Sequence, residues 1–125
     1  MSDVRREEVD APGLGHPQPI PVAVWVKDML FTSPIGPRRD DGSIPDGVGA
    51  QLDVTFDNLG RVLDAAGAAR DGVAMVRVHL SDPGLRDELN SRWTAFFDEP
   101  YPARHTTDGG LPNGVHVLLT VTAVR

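Results

Sequence analysis

The sequence predicts an α+β domain in which a mixed β-sheet is covered on one face by two helices. Three observations carry that expectation. Apolar residues at Val48, Leu52, Phe56, Leu59, Val62 and Leu63 recur every three or four positions, the spacing of one helix face. Val73 to Leu80 is rich in β-branched side chains, with valine and methionine partly alternating with polar residues. Segments of the two kinds follow one another as β-β-α-β-α-β-β, so each helix has a sheet to cover.

Residues 1–19 are charged and then rich in proline, glycine and polar side chains. They read as an N-terminal arm, ordered only where it packs on something, ahead of a single domain over 20–125. Val22 to Val26 and Met29 to Thr32 are short apolar runs separated by Lys27-Asp28, the pattern of a hairpin with a tight turn. Ser33 to Gly49 holds Pro34, Pro37 and Pro45 and is a loop, in which Arg38-Arg39 and Asp40-Asp41 neutralise one another as solvated surface. On the first helix Gln51, Asp53, Asp57, Asn58 and Arg61 fall off the apolar stripe. The helix ends at Ala65-Ala66-Gly67, because glycine takes the left-handed conformation past a helix terminus.

Ser81 or Asp82 can cap the second helix, Pro83 suits its first turn, and it runs to about Phe97. Arg104 to Thr107 and Val115 to Val124 supply the last strands, joined by the turn-rich Asp108 to Gly114. That connection is glycine-rich, but it lacks the lysine and the strand-loop-helix setting of a phosphate loop. The final strand is apolar on both alternating faces, and such a strand is usually buried on both. With only two helices available, the second face predicts self-association.

Composition narrows the function. At 125 residues the chain fits one domain. Its net charge of -6 argues against general affinity for nucleic acid or an anionic membrane. No apolar run approaches the roughly 20 residues needed to span a bilayer, and Met1 to Glu8 lacks the apolar core of a signal peptide, so a cytoplasmic location is expected. The absence of cysteine excludes disulfides, thiolate catalysis and cysteine metal sites.

The chemistry concentrates between Asn90 and Arg104. A helix bearing Asn90, Trp93, Phe96 and Phe97 leads into Pro102-Ala103-Arg104 at the start of a strand. Strand geometry fixes the backbone of Arg104, and its guanidinium offers a planar fork to a carboxylate. The competing role is a surface arginine paired with Asp98 or Glu99, as exposed arginines are common.

The pattern Asn90-Ser-Arg-Trp93-Thr-Ala-Phe96-Phe97, followed by Pro102-Ala-Arg104, resembles the C-terminal half of the Rid (YjgF-like) family, the reactive-intermediate deaminases. Leu30-Phe-Thr-Ser33, the helix end Leu63-Asp-Ala-Ala-Gly-Ala68 and the turn Leu111-Pro112 extend the likeness from about Ile20 to the C-terminus. The resemblance implies a chorismate-mutase-like fold assembled as a homotrimer with a barrel-like core and sites at the subunit interfaces. It also implies hydrolysis of 2-aminoacrylate and related enamines or imines to a 2-keto acid and ammonia. Arg104 would bind the substrate carboxylate, and no cofactor or metal is required.

The chain also departs from that pattern. Typical members carry Glu-x-Glu in the final strand, where the first glutamate is thought to handle the water. Here the place is Leu118 read from Leu111-Pro112, or Thr120 read from the chain's end. The tyrosine near the first strand falls at about Ile20, Gly-Gln after the second strand is Pro34-Ile35, and Ser-Cys after the arginine is His105-Thr106. Ile20, Asn90, Trp93, Thr106, Leu118 and Thr120 are therefore the candidate binding or supporting residues around Arg104. Asn90 is expected to bond backbone and Trp93 to pack. His105 should leave a pocket that Arg104 enters, because neighbouring strand residues face opposite ways. His79 and His116 share no metal-binding spacing. Three readings stay open: a deaminase, a non-catalytic trimer binding a small carboxylated metabolite, and a biosynthetic tailoring enzyme with a less polar ligand.

Overall fold

The structure, a computed structural model, describes residues 4–125. Its elements are β1 (Arg6–Val9), β2 (Ala23–Val26), β3 (Met29–Thr32), α1 (Val48–Ala66), β4 (Val73–Leu80), α2 (Arg86–Phe96), β5 (Ala103–Asp108) and β6 (Val117–Val124). They form a six-stranded mixed sheet in the order β1-β2-β3-β6-β4-β5. β6 lies antiparallel between β3 and β4, so those two strands are parallel to each other, and β5 is parallel to β4. The crossovers through α1 and α2 thus step across the sheet in the same direction. Right-handed crossovers of that kind place both helices on one face.

The expected elements form close to their sequence positions. The β2–β3 hairpin closes Val26 on Met29, with Lys27 at a φ of 52° in the turn. Gly67 ends α1 at φ 71°, its N–H donating to Asp64 while that of Ala68 donates to Leu63. Asp82 caps a single 3-10 turn (Pro83–Leu85) ahead of α2, its side chain accepting from the Gly84 N–H at 2.7 Å. Strand β6 starts at Val117, so Val115 and His116 belong to the preceding turn. His116 Nδ1 there lies 2.8 Å from Ser81 Oγ.

The sequence reading did not include β1. It pairs with the outer edge of β2 in the register Arg6↔Val26 to Val9↔Ala23. Only Val9 of this strand is buried, so backbone pairing rather than an apolar stripe holds it. The Arg38 to Asp41 run is also arranged differently from the mutual neutralisation expected. Asp40 pairs with Arg61 of α1 at 2.8 Å, and Asp41 accepts hydrogen bonds from the Ser43 hydroxyl and amide.

The core lies between the sheet and the helices. Leu30, Val76, Val78, Val117 and Leu119 of the sheet meet Leu52, Leu59 and Leu63 of α1 and Leu89 and Trp93 of α2, all of them buried. Fully burying a side chain of this size contributes about 1.5–3 kcal/mol. Among the described residues no helix covers the opposite face of the sheet. Met29, Phe31 and Val124 are exposed there, beside half-buried Leu118, Thr120 and Thr122.

Candidate functional site

Arg104 stands opposite Val76 in the parallel β4–β5 pairing, and Val76 is fully buried beneath the helices. Register therefore sends the Arg104 side chain to the helix-covered side, at the free edge of the sheet. Asn90 and Trp93 are three residues apart on α2 and share a helix face. Arg104 Nη1 donates to Asn90 Oδ1 at 2.8 Å, and its guanidinium carbon lies 5.0 Å from the Trp93 ring. Trp93 is itself buried and packs on Phe97 with ring centroids 4.8 Å apart.

Asn90 thus bonds the arginine instead of the backbone. Among the described residues Arg104 forms no ion pair with Asp98 or Glu99. Its pKa is lowered from the ordinary arginine value, first by burial and then by the nearby Arg86. Both causes mark a cation short of negative charge, though arginine remains protonated. Thr106 faces the same way as Arg104, opposite Val78. His105 stands opposite Arg77, on the other face and exposed.

The remaining candidates lie elsewhere in the chain. Thr120 pairs with Arg77 and Leu118 with His79, both on the open face. Strand β4 separates them from β5, a distance of roughly 10 Å at the usual strand spacing. Within one chain, neither can meet the Arg104 guanidinium across the sheet. Ile20 is 39% exposed in the arm.

Leu118 instead borders a cavity of about 330 Å³, with Val22, Pro34, Ile35, Ile44 and Val115 among its walls. Gly36 allows this close approach, since a Cβ there would sit 2.8 Å from Leu118 Cδ2. Buried amides that the helical stripe had set aside hold the walls. Gln51 is fully buried; its Nε2 donates to the carbonyls of Pro45 and Gly114, each at 2.8 Å, and its Oε1 accepts from the His116 N–H at 2.8 Å. Asn58 Nδ2 donates to the carbonyls of Gly36 at 3.0 Å and Arg38 at 2.9 Å. One helix therefore fastens both loops around the cavity. The signal in the sequence was positional: Gln51, Thr55, Asn58 and Val62 form a second row at helical spacing, and all four are buried.

Among the described residues no group of three or more His, Asp or Glu side chains could hold a metal ion. No helix there is long and apolar enough to cross a membrane.

Residues 19–125 match the family model described as Endoribonuclease L-PSP. A RutC family protein of Sinorhizobium fredii is 34% identical over 112 residues, 86% of each chain. The 2-iminobutanoate/2-iminopropanoate deaminase of Escherichia coli is 30% identical over 105 residues, 78% of this chain and 80% of its own. Among solved structures, Escherichia coli TdcF with bound serine superposes with a TM-score of 0.87 at 26% identity, covering 95% of this chain and 98% of that one. RidA from an Antarctic Psychrobacter shares the fold at a TM-score of 0.89 and 24% identity, covering 96% and 100%.

Proposed function

Because the chain belongs to the Rid/YjgF family, we propose that it hydrolyses carboxylated imines or enamines, with Arg104 as the anchor for the substrate carboxylate. The observation that carries this reading is the electrostatic state of Arg104. Its side-chain partner is the neutral Asn90 amide, burial and Arg86 both disfavour its charge, and no carboxylate balances it among the described residues. A substrate carboxylate supplies the missing charge and accepts hydrogen bonds worth about 1.5–3 kcal/mol each. The kinship to a 2-iminobutanoate/2-iminopropanoate deaminase supports the same class of substrate.

With the carboxylate held, the adjacent imine carbon occupies a fixed place. Water adds to that carbon through its oxygen and one of its protons passes to the nitrogen; the hydroxyl proton follows as the C–N bond breaks. The tetrahedral carbinolamine then collapses to the 2-keto acid as ammonia leaves. The imine is already electrophilic, so the protein's part is orientation. We place the site between copies of the chain in a cytoplasmic homotrimer, where Arg104 of one copy faces the Leu118 cavity of the next. Support for this arrangement comes from their separation within one chain and from exposed Met29, Phe31 and Val124 on the open face.

The test is release of ammonia and keto acid from imines generated in situ, comparing wild type with Arg104→Ala at matched oligomeric mass. Acceleration by wild type and its loss in the variant is the expected result. Leu118 and Thr120, both non-acidic, favour a second reading in which the cleft binds a small acid without turnover or runs altered, tailoring chemistry. Wild-type turnover at the uncatalysed rate with retained keto-acid binding would establish binding alone.

A further inference from the structure

We propose that the Leu118 cavity receives the substrate's side chain, and that the substrates are consequently 2-imino acids with branched or aromatic side chains, not the shortest ones. The inference rests on the deaminase reading and adds the substrate class to it. Pro34 and Leu118, singled out in the sequence as altered positions, sit far apart in the chain yet wall the same cavity. Val22, Ile35, Ile44 and Val115 add apolar walls, beside the polar side chains of His16, Ser33, Arg38 and Asn58.

The cavity's volume of about 330 Å³ lies at the lower end of the range for small-molecule sites, roughly 300–1,000 Å³. Much of the polarity at its wall is already used: Arg38 Nη1 donates to the Gly42 carbonyl at 3.2 Å and His16 Nδ1 accepts from the Gln18 N–H at 3.1 Å. The Asn58 amide is committed to the Gly36 and Arg38 carbonyls, and the Gln51 amide to Pro45, Gly114 and His116. A short imine would leave the lining in contact with water, whereas a branched or aromatic side chain would displace it. Each methylene moved from water into such a lining contributes about 0.8 kcal/mol, close to a fourfold gain. The loops are held by hydrogen bonds to α1, so the cavity is formed before a ligand arrives and little ordering entropy opposes binding.

Two measurements on the full chain separate this inference from its premise. Calorimetric titration with pyruvate and with the 2-keto acids of leucine and phenylalanine reads the cavity without requiring turnover. The larger acids should bind at least about tenfold more tightly. Hydrolysis of the corresponding imines, generated by an amino-acid oxidase, should show the same order in kcat/KM. Val115→Phe, which fills the cavity from a half-buried turn position, should collapse the ratio towards one. Leu118→Ala, which enlarges it, should favour the phenylalanine-derived acid over the leucine-derived one. Unchanged oligomeric mass and melting would show that either variant is folded.

Equal or tighter binding of pyruvate, no binding of any keto acid, or a ratio untouched by both variants would overturn the cavity assignment. Larger acids bound selectively with no imine hydrolysis would overturn the deaminase reading and leave the cavity assignment standing.

Discussion

The corner formed by α2 and β5 and the cavity formed by α1 and β6 are built on opposite principles. At the first, Arg104 is half-buried with, among the described residues, one neutral hydrogen-bond partner, and its charge is left over. At the second, Gln51 and Asn58 are buried, and among the described residues their amide nitrogens donate to backbone carbonyls. Unused polarity is available to a ligand, while spent polarity fixes a shape. Variants of the two regions should therefore separate function from stability.

The largest effect should follow Gln51→Leu. It leaves the buried Pro45 carbonyl unpaired, at about 1–3 kcal/mol, together with the part-buried Gly114 carbonyl and His116 amide, which cost less because water can reach them. We expect a total loss of about 3–5 kcal/mol, read as a fall in the urea midpoint with an unchanged slope. Loss within experimental error would show that water replaces the amide and would end the distinction. Arg104→Ala should do the reverse: stability within about 1 kcal/mol of wild type, but carboxylate affinity lower by about 2–3 kcal/mol, or roughly 30- to 150-fold in Kd. Asn90→Ala should weaken keto-acid binding by about 1 kcal/mol, roughly fivefold, because it frees the guanidinium from one fixed direction.

Legibility followed the range of the interactions involved. Asn90, Trp93 and Arg104 lie within one short segment, and a helix spacing plus a strand register brings them together. Their grouping could be read along the chain. Gln51 bonds a carbonyl 63 residues away, and Asn58 bonds one 22 residues away, so at the sequence level both looked like ordinary polar side chains on the solvent side of a helix. The element order and the mixed sheet could be read from the strand and helix pattern, whereas the insertion of β6 between β3 and β4 is a long-range pairing that no local pattern gives. Strand β1 was invisible too, because Arg6, Glu7 and Glu8 have no apolar period and the strand is held by its backbone. The splitting of Leu118 and Thr120 from Arg104 required the register itself, which sets them on opposite faces.

The smallest effect concerns pH and the Ser33 to Gly47 loop. Hydrogen bonds from the Ser43 hydroxyl and then the Ser43 amide hold the Asp41 carboxyl below its usual pKa of 3.8. A carboxyl with a depressed folded pKa contributes stability above its unfolded pKa and loses it as pH falls through the folded one. The Asp41 to Ser43 turn should thus loosen only at strongly acidic pH, seen as faster exchange of the Ser43 amide by NMR. Asp41→Asn should remove that pH dependence without moving the Arg104 region.

The chain has two tryptophans, and they are wired differently. Trp25 donates its indole N–H to the Ala66 carbonyl at 3.0 Å and lies under Arg125, on the same helix-covered face but near the opposite edge of the sheet. Trp93 lies beneath the guanidinium of Arg104. With Trp25 replaced by phenylalanine, the emission of the protein would come from a single indole facing the charge that a ligand must neutralise. The molecule would then carry its own optical gauge, in which the arrival of a carboxylate is written as a change in colour.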